Sequence, residues 1–301
     1  MFPTKVLLAS DGSAQSRVAA RVAADFAAKT DSELHVVHAG FVPTMYRPEM
    51  RGYGLRIEAV EEESQQVLDD EVHRIEAAGD KVAGAHLRMG RPDAEILQVA
   101  EELEAGLVVV GSWGLGPIRR AVMGSVSISV VRHAHCPVMV VRDESGGREP
   151  AAGPIVLAVD GSEEAKLAAR AATELSERTG SEVHLVSVLP TRERMYGPHF
   201  YSAEMEESLL EQARSEARTF LDTQSEEVRS GGGKAGQTYL ATGRPDHEIV
   251  ELAEEIGAGL IVVGSRGLGG VRRALMGSVS DSVVRHAHCA VLVVRRRSPE
   301  V

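Results

Sequence analysis

Residues 107–142 of this chain read LVVVGSWGLGPIRRAVMGSVSISVVRHAHCPVMVVR, and residues 260–295 read LIVVGSRGLGGVRRALMGSVSDSVVRHAHCAVLVVR. Such a long internal match constrains the fold more than any other feature, because two like sequences must bury two like cores. It continues upstream: MGRPDAEIL from Met89 faces TGRPDHEIV from Thr242, and VLLASDGS from Val6 faces IVLAVDGS from Ile155. The offset is 149 residues at Asp11 and Asp160 but 153 at Gly111 and Gly264, so the second copy carries four extra residues between these motifs. The length of 301 residues suits two domains of ordinary size. The stretch DESGGREPAAG, from Asp143 to Gly153, has the Gly, Pro and charge content of an exposed linker. The expected division is a first domain at 1–143, a linker at 144–153 and a second domain at 154–301, with the boundary near Glu149.

Within the first copy, short apolar runs alternate with helical patterns. Strands are predicted at Lys5–Ser10, Glu33–Ala39, Val82–Arg88, Leu107–Val110 and Pro137–Val141. Helices are predicted from Ser13, a candidate N-cap, to about Lys29, over about Leu55–Ala78 and Asp93–Glu104, and from Gly124 or Ser125 onward; Pro92 sits where a first-turn proline is tolerated. The Pro, Gly and aromatic stretch at 40–54 reads as a loop or lid, as does 190–201. Strands alternating with helices give an α/β class, with each copy a doubly wound domain whose five-stranded parallel sheet carries helices on both faces. Ligands of such sheets sit beyond the carboxyl ends of the strands, where the strand order reverses.

At such an end the first copy has Gly111, Gly114, Gly124 and Ser125 in the pattern G-x2-G-x9-G-S, and the second repeats it at Gly264, Gly267, Gly277 and Ser278. Glycines let backbone amides approach an anion, and a serine at a helix start adds its hydroxyl to the free first-turn amides, so phosphate is the natural guest. The alternative is a tight strand-to-helix connection with no ligand. The motif is neither a Walker loop nor the dinucleotide fingerprint, which opens at the first strand, and kinase signatures are absent.

These residues resemble the universal stress protein family, in its tandem, ATP-binding form, across both copies. The resemblance implies a Rossmann-like fold of the adenine nucleotide α-hydrolase kind, with ATP, and Mg²⁺ as a candidate companion, as the ligand. It carries the triphosphate and ribose to Gly111, Ser112, Gly114, Leu115, Gly116, Gly124, Ser125, Val126 and Ser127, and to Gly264, Ser265, Gly267, Leu268, Gly269, Gly277, Ser278, Val279 and Ser280. Asp11 and Asp160, within D-G-S, are carried to the adenosine, with Ala9 and Ala158 beside them and Val37 and Val186 as backbone contacts to adenine. Read from the residues alone, both aspartates serve equally as turn residues capping the next helix. Trp113 faces Arg266 and Pro117 faces Gly270, so the two sites are expected to differ in affinity. Arg119, Arg120, Arg272 and Arg273 follow the loop as solvated residues or phosphate contacts.

The remaining features narrow the function. A formal charge of −11 argues against a sequence-independent grip on nucleic acid or anionic lipid, and no apolar run reaches the length of a membrane span. No signal-peptide pattern opens the chain, which with only two cysteines, Cys136 and Cys289, points to the cytoplasm and to buried thiols. The run H-A-H-C at His133–Cys136 and His286–Cys289 invites a zinc reading but lacks the usual ligand spacing. If the last strands, VMVV from Val138 and VLVV from Val291, pair across a pseudo-twofold axis, the thiols approach each other; such pairing would cover a sticky edge. No nucleophile with an evident base and no fixed carboxylate pair marks a catalyst, and His35 and His38 read as packed or turn residues. The expectation is a nucleotide-responsive regulator of stress response, made of an intrachain pseudo-dimer, with further homodimerisation and a regulatory protein partner open. An ATP-hydrolysing enzyme of the same superfamily is the alternative.

Overall fold

In the computed structural model the residues described are 4–41, 57–112, 123–142, 153–191, 203–267 and 276–296. The loops expected at 40–54 and 190–201, apart from their first residues, lie outside them. The chain divides into two compact units, Met1–Gly146 with Arg296–Val301 and Gly147–Arg295, whereas the expected second domain ran to 301.

The first unit runs β1 (Lys5–Ala9), α1 (Ala14–Thr30), β2 (Glu33–Gly40), α2 (Ile57–Ala77), β3 (Gly84–Met89), α3 (Pro92–Glu102), β4 (Leu107–Gly111), α4 (Ser125–His133) and β5 (Val138–Val141). Its strands lie in the order β3-β2-β1-β4-β5, all parallel, with Ala9 beside Val37 on one side and Val110 on the other. The order reverses between β1 and β4. With right-handed crossovers, α1 and α2 cover one face and α3 and α4 the other, and within each pair the helices touch. Val6, Leu7 and Leu8 of β1 and Val108 and Val109 of β4 are fully buried, as central strands covered on both faces require. The edge strand β3 is only half-buried; its mixed composition explains why its limits were the least legible.

The second unit repeats the plan as β6 (Ile155–Ala158), α5 (Glu163–Thr179), β7 (Glu182–Leu189), α6 (Ala203–Ser230), β8 (Lys234–Thr242), α7 (Pro245–Glu255), β9 (Leu260–Gly264), α8 (Ser278–His286) and β10 (Ala290–Val294). Its strand order is β8-β7-β6-β9-β10, and the pairing of β7 with β8 shifts register between Val183 and Leu185.

Sequence chemistry sets the helix ends. Ser13 and Ser162 accept the amides of Ser16 and Ala165, both at 3.2 Å, as N-caps of α1 and α5. Pro92 and Pro245 open α3 and α7. At the same two helices Asp93 and Asp246 each accept a hydroxyl at 2.7 Å, from Ser129 and Ser282, tying α3 to α4 and α7 to α8. Among the described residues no helix is long and apolar enough to cross a membrane.

Candidate functional site

In each unit the strand order reverses between its first and fourth strands, and the motifs collect at the carboxyl ends of those two. After β1 and β6 the chain turns through Asp11–Gly12 and Asp160–Gly161. The aspartate Oδ1 accepts the amide two residues on, from Ser13 or Ser162, at 3.0 Å in both halves. The glycines take φ of +75° and +81°, a left-handed conformation that other residues reach only under strain. The turn role expected of both aspartates is therefore present in the structure.

After β4 and β9 the backbone is stitched to the helix that follows. The Gly124 amide donates to the Ser112 carbonyl at 2.8 Å and the Gly277 amide to that of Ser265 at 2.7 Å. The Ser127 and Ser280 hydroxyls donate to the carbonyls of Gly111 and Gly264 at 2.7 and 2.6 Å. These bonds occupy two groups in each half that the resemblance assigns to nucleotide. They also fix the axis of α4 and α8 at the strand end. Ser125 and Ser278 are the first residues of those helices, and the caps, Gly124 and Gly277, make no side-chain cap bond. The cap residues thus offer the first-turn amides no side-chain partner, and these amides lie at the positive end of the helix dipole.

The glycines have two distinct roles. A Cβ at Gly264 would stand 2.8 Å from the Glu164 backbone carbon, and one at Gly111 would stand 3.3 Å from that of Gln15. These two permit the close approach of α5 and α1, a packing role. A Cβ at Gly267 would stand 2.4 Å from Asp160 Oδ2, so the second loop and the aspartate carboxylate lie in close apposition. Gly114, Leu115, Gly116, Leu268 and Gly269 lie outside the described residues, as do Trp113, Pro117, Gly270 and the four arginines at 119, 120, 272 and 273.

Three observations fit an anionic ligand here. Ser112 is fully buried and its Oγ has no hydrogen-bond partner among the described residues. The N-caps of α4 and α8 are glycines, with no side chain to cap the first turn. Arg266 brings a cation to the second loop, held by Glu164 at 2.8 Å, while the Arg266 carbonyl accepts the Ser162 hydroxyl at 3.3 Å. Ala9 and Ala158 end their strands at the same place. The Val37 and Val186 carbonyls already accept the amides of Ser10 and Val159, at 3.0 and 2.9 Å, and both side chains are buried.

Other candidates take structural places. His38 Nδ1 lies 2.8 Å from the Ser10 carbonyl, and His35 Nδ1 lies 3.2 Å from His86 Nε2. Burial, reinforced by His35 and Arg88 and opposed by Glu102, holds the His86 imidazole below its ordinary pKa. His133 and His286 contact the carbonyls of Ser129 and Ser282 at 2.8 Å, and Cys136 and Cys289 are buried thiols. Among the described residues the three-donor group suited to a metal is His247, Glu248 and Glu251, on the surface of α7.

Sequence reasoning did not single out the Arg266–Glu164 pair or Glu71, which is buried beside Ser10. The second was within reach, because Leu68, Glu71 and Ile75 share one helical face and put a carboxylate in an apolar stripe.

Comparison with known proteins adds to this geometry. A family model described as the universal stress protein family matches residues 3–142 and again 152–295. Universal stress protein Rv2005c of Mycobacterium tuberculosis H37Rv is 32% identical over 305 residues, covering 97% of each chain. Universal stress protein Rv1996 of the same strain is 30% identical, covering 96% of this chain and 94% of its own. The crystal structure of a universal stress protein from Archaeoglobus fulgidus superposes with a TM-score of 0.71 at 25% identity, covering 98% of this chain and 97% of the other.

Proposed function

Since this chain belongs to the universal stress protein family, in its tandem form, we propose that each half binds one ATP, and that occupancy biases the shape or stability of the chain and hence its choice of a regulatory partner in stress response. The observation that carries the reading is the twice-built strand end, where in each half an Asp-Gly turn follows the first strand and a glycine-started helix follows the fourth. In the second half, Gly267 and Asp160 stand in direct apposition.

The division of labour follows from the chemistry of each group. Backbone amides at 125–127 and 278–280, with the hydroxyls of Ser125 and Ser278, hold phosphate oxygens, which a helix N-terminus favours by its dipole and its unpaired donors. The buried Ser112 hydroxyl, without a partner among the described residues, gains one. Asp11 and Asp160 accept hydroxyl or amine protons of the adenosine. Arg266 adds positive charge to the second site by exchanging Glu164 for phosphate. Mg²⁺, when it accompanies the nucleotide, neutralises phosphate charge. A ligand shifts a conformational equilibrium only by its differential affinity, so the switch requires ATP to prefer one arrangement of the chain. The duplication supports a pseudo-dimer made within one chain.

Mass spectrometry of small molecules released on heating the purified chain tests the reading. An adenine nucleotide is expected. A chain that releases none and also fails to take up added ATP refutes it.

A further inference from the structure

The two halves provide an internal comparison beneath their aspartate turns, and there they differ. In the first half Ser10 is held by four polar bonds. Its amide donates to the Val37 carbonyl at 3.0 Å, and its carbonyl lies 2.8 Å from His38 Nδ1. Its hydroxyl donates to Glu71 Oε2 at 2.8 Å and accepts the Gly12 amide at 3.3 Å. Glu71, on α2, is 1% exposed, and its Oε1 stands 3.1 Å from Arg74 Nη1.

The counterpart of Ser10 at the 149-residue offset is Val159, and that of His38 is Ser187. The helices align at the later offset of 153, because Gly12 faces Val67 while Gly161 faces Phe220; Gln224 therefore replaces Glu71 and Glu227 replaces Arg74. Gln224 donates instead to Glu227 at 2.7 Å, within its own helix. Of the four bonds, the second half keeps the amide of Val159 to the Val186 carbonyl, and a valine side chain offers no hydroxyl to a Gly161 amide.

A buried carboxylate costs several kcal/mol to desolvate unless it is paired and hydrogen-bonded, and Glu71 is bonded to Ser10 and Arg74. What these bonds hold is the turn that carries Asp11. We propose that Ser10 and Glu71 are positioning residues that fix the Asp11–Gly12 turn from α2, so that the first site binds ATP more tightly than the second. The inference rests on the ATP reading above, in that the pair acts on a nucleotide only through that turn. Pre-organisation raises affinity by removing the cost of ordering the site on binding.

The test uses the full chain with Asp160→Ala, which isolates the first site. Ser10→Val is the main variant, since valine already stands at this place in the other half and the fold accepts it there. It is expected to weaken ATP about tenfold by calorimetry, the loss typical of a hydrogen bond to a charged group. Glu71→Gln is expected to do the same, and the double variant to lose no more than either alone, as members of one network do. Ser10→Thr, which keeps the hydroxyl, is expected to restore affinity. A second readout needs no nucleotide: hydrogen exchange at the Gly12 amide is expected to speed up in Ser10→Val, with Gly161 unchanged. Native affinity together with native exchange at Gly12 in Ser10→Val overturns the proposal. Absence of ATP binding in the unaltered chain overturns the ATP reading alone, and the exchange measurement then still decides the positioning role.

Discussion

Replacing Gly267 by alanine should weaken the second nucleotide site and spare the first. The added methyl would stand 2.4 Å from Asp160 Oδ2, about 1 Å inside ordinary contact. Relief has two routes. The Asp160 carboxylate can turn, but its Oδ1 accepts the Ser162 amide at 3.0 Å. The loop can withdraw, but Ser162 bonds the Arg266 carbonyl, and the Ser265 carbonyl accepts the Gly277 amide. Overpacking a core costs about 1–3 kcal/mol, and the movable, exposed end of Asp160 puts this clash at the lower limit. If that cost falls on the bound geometry, ATP affinity drops roughly fivefold at this site, while a unit of this size loses only about 2–4 °C in melting temperature per kcal/mol. Calorimetric titration should leave the tighter first site unaltered and weaken the second further. Two unaltered sites in the variant would refute the reasoning.

Three further outcomes follow from the structure. Burial raises the Asp246 carboxyl, but hydrogen bonds from Arg244 and Ser282 and the Arg244 charge outweigh it and bring the pKa down to about 2. A depressed carboxyl stabilises the fold fully above its unfolded value near 4 and loses that contribution as pH falls through about 2. Acid titration of Asp246→Asn should therefore lack a component on the order of 1 kcal/mol, after allowing for solvent screening, between those limits; an unchanged acid limb contradicts this. Ser162→Ala removes the α5 cap and should cost about 0.5–2 kcal/mol in urea unfolding, with a larger loss expected if its bond to the Arg266 carbonyl also contributes; no loss would deny the cap a role. Leu157→Ala, at a fully buried position of β6, should cost about 2–5 kcal/mol by the same assay, and a value under 1 would mean that the second core collapses around the cavity.

The legible parts of this chain were those where one local pattern had one physical solution. The run at Leu107–Val110 could only be a strand buried on both faces, and the structure buries all four residues. Ser13 before an Ala-rich stretch caps α1 as expected, and Pro92 opens α3. Limits blurred at β3, expected from Val82 and found from Gly84, because an edge strand lacks a continuous apolar run. The site was legible as a composition of glycines, serines and aspartates but not as a set of bonds. That Ser127 spends its proton on the Gly111 carbonyl, and that Gly264 makes room for α5, depends on distances no spacing rule contains. The Ser10–Glu71 contact spans 61 residues and joins a strand end to a helix that nothing local links to it.

Equilibrium dialysis of the purified, nucleotide-stripped chain against radiolabelled ATP counts what the two glycine loops hold. The account predicts saturation at two ATP per chain, with the tighter portion lost on Asp11→Ala and the weaker on Asp160→Ala. Saturation at zero, or binding indifferent to both substitutions, contradicts it.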